Sequence, residues 1–314
     1  ILFTSEGCYL VPNNLPKRRM KIGSRGRDLL YDMDEKLLTN KALLMGRDTK
    51  HKNPLVNLHN RMGHYDHYGL VKAIKRGQIV ADGLKSDKEI AKHLSTVGIC
   101  DACYRSKLTA RARKKHSSLK QSATYKFEKL AWDYCGPTTP RSIEGYSYYL
   151  CIIDIFSNAP FVYGATFRSE APTLFEGFME NIVCQHKVKE TMHLRSDNAK
   201  ELHDSQAMRR IFKKYNITVH DCASPYSSST HNSRCERMIL QLSITARTML
   251  SHSAAPLEEW YTAIRHSAFL IRMMPSSSNP DNASPLCRLG IQKGPINANL
   301  LKAFFTRVYY INRT

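Results

Sequence analysis

Acid is what this chain is short of: 27 Asp and Glu stand against 47 Lys and Arg in 314 residues, a formal charge of +20. Such an imbalance argues against a neutral small molecule as the main partner and favours nucleic acid. Long apolar runs are absent too. No stretch approaches the roughly 18 consecutive apolar residues of a membrane-spanning helix, so no membrane partner is expected, and the N-terminus carries no signal-peptide pattern. Regular cysteine spacing is also missing. The nine cysteines are odd in number and irregularly placed, which argues against a disulfide framework and for a reducing compartment. The Asn-x-Ser/Thr triplets at Asn216, Asn282 and Asn312 then read as chance matches. The chain opens on Ile1 and stops at Thr314, which reads as a piece of a longer polyprotein.

What is present is enough for a core. With 42% hydrophobic residues, the chain divides in expectation into about two folded units with connecting arms. Residues 1–50 hold a basic stretch, Lys17 to Arg27, with weak periodicity, and read as an arm. From Pro54, Leu55, Leu58 and Met62 and then Leu70, Val71 and Ile74 take helical spacing, broken at Gly63 and Gly69. Two short helices with a turn between them fit, with too little core to stand alone.

That small module holds a metal-ligand pattern. His59 and His64 sit near the end of its first helix, and Cys100 and Cys103 form a tight Cys-Asp-Ala-Cys turn further on. Two imidazoles and two thiolates make a closed tetrahedral set for one structural Zn²⁺, and closing the long loop would help fold the module. His67 and His93 are spare histidines, and His67 replaces His64 as a ligand if the first helix ends early. Between Arg105 and Lys120 lie seven Lys or Arg and no acid. Arg105, Lys107, Arg111, Arg113, Lys114 and Lys115 therefore read as a linker against DNA phosphates, with a merely solvated linker as the competing reading.

From Tyr125 the period shifts. Phe127, Leu130 and Trp132 lead into Asp133 as a strand, residues 146–156 and 161–167 form two more, and short connections predict antiparallel pairing. A helix opened by Pro172 follows, then a strand over 191–196 that delivers Asp197. A helix capped near Asp204, a strand over 217–220, and a long polar loop over 224–233 lead to a helix opening around Glu236. Its buried stripe is Ile239, Leu242, Ala246 and Met249, and a last helix spans 260–274. The order βββαβαβα is that of an α/β, ribonuclease-H-like domain with a mixed five-stranded sheet and flanking helices.

In that order Asp133, Asp197 and Glu236 meet at one sheet edge. Phosphodiester transfer requires charge neutralisation, an activated hydroxyl and a stabilised leaving oxygen, which two Mg²⁺ or Mn²⁺ ions on carboxylates supply. Asp133 would bridge both ions, Asp197 hold one and Glu236 the other. Singly, each acid also reads as a cap or a surface residue. Asp154 and Glu201 are rivals, Asp154 as a satisfied buried polar group and Glu201 as an outer neighbour of Asp197. Lys200, Arg234 and Arg237 flank the site as phosphate contacts or as solvated residues.

Five stretches carry a family resemblance: Leu58-His59-Asn60-Arg61-Met62-Gly63-His64 with the Cys100 and Cys103 pair, Asp133-Tyr134-Cys135-Gly136-Pro137, Leu194-Arg195-Ser196-Asp197-Asn198, Cys235-Glu236-Arg237-Met238, and Ala246-Arg247-Thr248-Met249-Leu250. Together they resemble the integrases of copia-type (Pseudoviridae) LTR retrotransposons and, more distantly, retroviral integrases. The match runs from about residue 30 to about 310. The resemblance implies a basic, gag-pre-integrase-like extension over 1–50, an HHCC zinc-binding domain and basic linker over 51–118, a catalytic core over 119–275 and a connecting segment over 276–314. It implies a DDE triad on Asp133, Asp197 and Glu236 and a homo-multimer acting on double-stranded DNA. That enzyme joins 3′ ends of element cDNA to host DNA, in the nucleus, after assembly in cytoplasmic virus-like particles. Two departures stand out: Ala199 replaces a glycine usual in the family, and a Ser-rich loop from Ser227 replaces one holding Gln and Gly. A catalytically decayed or co-opted DNA-binding relative and an RNase-H-type nuclease are the alternatives.

Overall fold

The computed structural model describes residues 2–4, 7–10, 20–25, 31–33, 51–106, 123–186, 192–196, 205–221 and 233–306. Two compact units emerge, one of residues 1–50 with 306–314 and one of residues 51–305. In the first, β1 (Leu2–Thr4), β2 (Gly7–Leu10), β3 (Met20–Arg25) and β4 (Tyr31–Met33) pair antiparallel in sequential order. The stretch read as an arm thus contains strands. Its apolar residues follow no regular period, and the backbone ladder supplies the order that the side-chain pattern hides.

The second unit begins with the helices α1 (Pro54–Arg61), α2 (His67–Lys75), α3 (Asp87–Ser95) and α4 (Asp101–Ser106), with the short strand β5 (Ile79–Val80) between the second and third. Each of the first three has a side-chain N-cap. Asn53 accepts from the Leu55 amide at 2.9 Å, Asp66 from Gly69 at 2.9 Å, and Ser86 with Glu89 forms a capping box. Leu55, Leu58, Met62, Leu70 and Leu84 are buried between these helices. The same cluster takes in Met274 and Ala298 from far downstream, so the module's core is completed by the rest of the chain.

The central sheet has β6 (Lys129–Cys135), β7 (Tyr148–Asp154) and β8 (Ala159–Ala165) antiparallel in sequence, as the short connections predict. Then β9 (Met192–Ser196) runs parallel to β6, and β10 (Ile217–Asp221) parallel to β9, giving the order β10-β9-β6-β7-β8. Side chains alternate across the sheet. Leu130, Trp132 and Tyr134 face one side, where α5 (Ala171–Phe178) and α6 (Gln206–Lys214) pack, with the Trp132 and Phe175 rings 4.8 Å apart. Ser205, not Asp204, caps α6 by accepting from the Met208 amide at 3.2 Å. A serine hydroxyl does the same work as a carboxylate there, and residue choice alone does not separate two adjacent cap candidates. Ala131, Cys151 and Ile153 face the other side, against α7 (Ser233–Ser253) and α8 (Trp260–Met273).

After α8 the chain turns through α9 (Pro285–Arg288) and returns to the small module. There β11 (Ile296–Asn297) pairs parallel with β5, and the Asp82 amide donates to Asn299 Oδ1 at 3.0 Å. Among the described residues, no helix is long and apolar enough to cross a membrane.

Candidate functional site

Two constellations share the second unit, and the first is built by a turn. Helix α1 ends at Arg61, and Gly63 and His64 both take left-handed backbone angles, φ +60° each. The His64 amide donates to the His59 carbonyl at 2.8 Å, which folds the chain back so that both imidazoles face one point. A histidine tolerates that conformation at modest cost, and Gly63 meets none. Helix α4 brings up the thiols.

His59 Nε2 and His64 Nδ1 lie 3.1 Å apart, Cys103 Sγ is 3.3 Å from the first and 3.7 Å from the second, and Cys100 Sγ is 3.5 Å from His64 Nδ1. A tetrahedral zinc site requires about 3.3 Å between two nitrogens and about 3.6 Å between nitrogen and sulfur. All four donors lie within 4.8 Å of one another, so the set fits zinc. The tautomer fits as well. His59 Nδ1 is 2.8 Å from the Tyr65 carbonyl, which can only accept, so the proton sits on Nδ1 and Nε2 keeps its lone pair for a metal.

Protonation states agree with that reading. Burial lowers the His64 pKa to about 4, leaving a neutral ring at physiological pH. The neighbouring Cys103 thiol, then the His59 and His64 rings, hold the Cys100 thiol well below its ordinary range, against the opposing effect of burial. Neutral imidazole and thiolate are the forms zinc binds. His67, the alternative ligand, stays out of the quartet and instead stacks on the His59 ring, centroids 4.2 Å apart.

The second constellation lies at the sheet. Asp133 is half-buried on β6 opposite Cys151 of β7. Cys235, in the first turn of α7, is buried and its Sγ lies 3.7 Å from the Cys151 carbonyl. Glu236 is the next residue and is exposed. Burial chiefly pushes the Cys235 thiol up, followed by the neighbouring Cys151, and the charges of Asp133 and Glu236 add to that push. Asp197 follows β9 directly in the chain and lies outside the described residues, as do Glu201, Lys200 and the loop before residue 233.

Asp154, the rival acid, has a structural role. It is fully buried at the far end of β7, paired with Leu130 and not with Asp133. Its carboxylate accepts from the Phe127 amide at 2.9 Å, the Ser157 amide at 3.0 Å and the Ser157 hydroxyl at 2.5 Å. Of the basic residues, Arg105 forms an exposed ion pair with Asp101 at 2.5 Å. Arg237 is exposed and lines a groove of about 340 Å³ together with Tyr65, Asp66, Leu240 and Gln241. Lys107, Arg111, Arg113, Lys114 and Lys115 lie outside the described residues. The residues that sequence reasoning missed are Tyr65, whose carbonyl orients His59, and His252, whose ring lies 4.6 Å from that of His64. Neither carries a signal in the sequence, since one acts through its backbone and the other is remote along the chain.

No protein-family model matches the chain. It is similar to the retrovirus-related Pol polyprotein from transposon TNT 1-94 of Nicotiana tabacum, 28% identical over 218 residues, 69% of this chain and 15% of that polyprotein. That agrees with the resemblance read from the motifs, and the chain spans only a small part of its curated relative. Among solved structures, the chain matches one in a simian T-cell lymphotropic virus intasome in complex with the PP2A regulatory subunit B56 gamma (TM-score 0.40, 15% identity, 58% of this chain and 60% of that one). It also matches the HTLV-2 integrase catalytic core domain in complex with magnesium, trimeric form (TM-score 0.38, 14% identity, 52% of this chain and 97% of that one).

Proposed function

We propose that the chain is the integrase segment of a copia-type retrotransposon Pol polyprotein, a divalent-metal-dependent polynucleotidyl transferase that joins 3′ ends of element cDNA to host DNA. The observation that supports this reading is the docking of α7 on the sheet at Cys151, the residue paired with Asp133: Cys235 Sγ lies 3.7 Å from the Cys151 carbonyl, and Glu236 is the next residue. Hard carboxylate oxygens suit hard cations. Asp133, Asp197 and Glu236 are the residues that would hold Mg²⁺ or Mn²⁺. When bound, a pair of such ions supplies charge neutralisation at the phosphate and lowers the pKa of the attacking hydroxyl.

The chain's own residues do the rest. Asp133 sits on a strand of the central sheet and is rigidly placed, while Glu236 stands at the start of a long helix whose register is set by buried Cys235, Leu242, Ala246 and Met249. Arg237 presents positive charge beside Glu236, and the basic stretch from Arg105 to Lys115 would track the backbone phosphates. His59, His64, Cys100 and Cys103 would hold one structural Zn²⁺ that closes the small module. Homo-multimer formation, action in the nucleus and assembly in cytoplasmic particles belong to the same reading.

The test is a joining assay. The protein is incubated with a duplex bearing an element-type 3′ end, a plasmid target and Mg²⁺, alongside Glu236→Gln. Joined product from the parent and none from the variant supports the transferase. Equal background from both sinks it and leaves a non-catalytic DNA-binding relative; RNA cleavage in a hybrid without joining indicates an RNase-H-type nuclease.

A further inference from the structure

Helix α7 carries Glu236 in its first turn and His252 in its last, so one helix reaches both candidate metal centres. His64 is only 1% exposed, and the ring lying against it from α7 is His252, centroids 4.6 Å apart and planes at 62°. His252 itself is exposed on its far side. Three further close approaches set the metal turn and α4 against α7 and the neighbouring α8. A Cβ on Gly63 would come within 2.7 Å of Leu270 Cδ1 and 3.1 Å of Thr245 Cγ2, the Ser106 hydroxyl lies 3.5 Å from the Arg247 carbonyl, and the Tyr65 hydroxyl lies 3.5 Å from the Pro275 carbonyl.

We propose that His252 is a positioning residue of the His59, His64, Cys100 and Cys103 metal centre, so that metal loading and the ordering of α7 are linked. An imidazole ligand needs its ring plane aimed at the metal, and groups packed on its other faces set that plane. The Tyr65 carbonyl does this for His59 by a hydrogen bond. For His64 the His252 ring does it by edge contact, from a different module. Linkage is reciprocal: if the α7 contact tightens metal binding, bound metal stabilises the docked α7 by the same factor. Glu236 rides on that helix, so the zinc module would help hold a catalytic carboxylate that it does not touch.

The linkage rests on the zinc reading of the quartet. Its test uses the full chain, with zinc affinity measured by chelator competition and hydrogen exchange of α7 measured with and without zinc. His252→Ala is expected to weaken zinc binding by about tenfold, the low end of what loss of a hydrogen-bonded outer partner costs, because the contact is one of ring packing. His252→Phe, which keeps a packed ring, is expected to retain most of the affinity. In the parent, zinc is expected to slow exchange in the last two turns of α7, and that slowing disappears in His252→Ala. Equal affinity in parent and His252→Ala, or no zinc-dependent slowing in the parent, overturns the linkage while leaving the metal centre standing. A parent that binds no stoichiometric zinc overturns the metal centre itself, and the linkage with it.

Discussion

Cys235 on α7 sets its sulfur 3.7 Å from the carbonyl of Cys151 on β7, the residue paired with Asp133 across the sheet. That contact seats the first turn of the helix on the sheet, and with it Glu236. Its neighbours are close-packed, so added volume there has nowhere to go. Cys235→Leu is therefore expected to cost about 1–3 kcal/mol in urea denaturation and to reduce joining more than Cys235→Ala does. Equal joining by the two variants would show that the seat of α7 does not govern the carboxylates.

The donor quartet predicts one zinc per chain. Cys100→Ser with Cys103→Ser is expected to lose it, because a serine hydroxyl is a poor zinc ligand at neutral pH. A chelator should lower the melting temperature of the parent and leave the double variant unchanged. Metal analysis that returns stoichiometric zinc in the double variant would disprove the ligand set.

Asp154 offers a pH test. Burial raises its pKa above the ordinary value of 3.8, against the lowering effect of four hydrogen bonds from Ser157, Phe127 and Phe156. A raised carboxyl binds its proton more tightly in the folded state, so its contribution to stability rises as pH falls from neutral through the raised pKa and levels off below 3.8. Asp154→Asn removes that titration and mismatches at least one donor, at a cost of about 1–3 kcal/mol. The stability gap between parent and variant should widen from pH 7 to pH 4, as followed by urea midpoints. A gap that narrows would mean that the folded-state pKa is depressed instead.

Gly63 is needed twice, for its left-handed angle and for its lack of a Cβ against Leu270 and Thr245. Gly63→Ala is expected to destabilise the second unit by about 1–3 kcal/mol through both effects. Gly77, also left-handed but facing open space, isolates the backbone effect. Gly77→Ala should cost only about 1 kcal/mol. If the two variants lose the same stability, the close packing at Gly63 contributes nothing.

Much of the second unit is legible in the amino-acid sequence. Strand and helix periods mark β6, β7, β8, α1, α2, α5, α7 and α8 because side-chain alternation and the helical stripe are local properties. The metal quartet is legible for the same reason. His59 and His64 lie on one turn, Cys100 and Cys103 on another, and zinc chemistry needs those four donors and no more. Glu236 stands in the first turn of its helix as the sequence predicts, whereas β6 runs on past Asp133 to Cys135, because pairing with β7 continues through Tyr134 and Cys135.

Other features have no local sign. The strands of residues 2–33 show no apolar period, and adjacent candidates for the α6 cap, Asp204 and Ser205, are chemically equivalent in sequence. Met274 and Ala298 read as parts of the core and its tail, yet they complete the small module's interior. His252 reads as a surface residue of α7, yet its ring lies on that of His64.

The division follows from range. Composition, period and ligand spacing depend on residues a few positions apart, so the chain's chemistry specifies the elements, the basic charge and the His and Cys donors of the quartet. Which remote residues meet depends on sheet register and on how helices dock. The antiparallel register of β6 with β7 sets Asp133 opposite Cys151, and the docking of α4 and the Gly63 turn on α7 sets His64 against His252. Those are sums of many weak packing terms across the whole unit, and no single segment contains them.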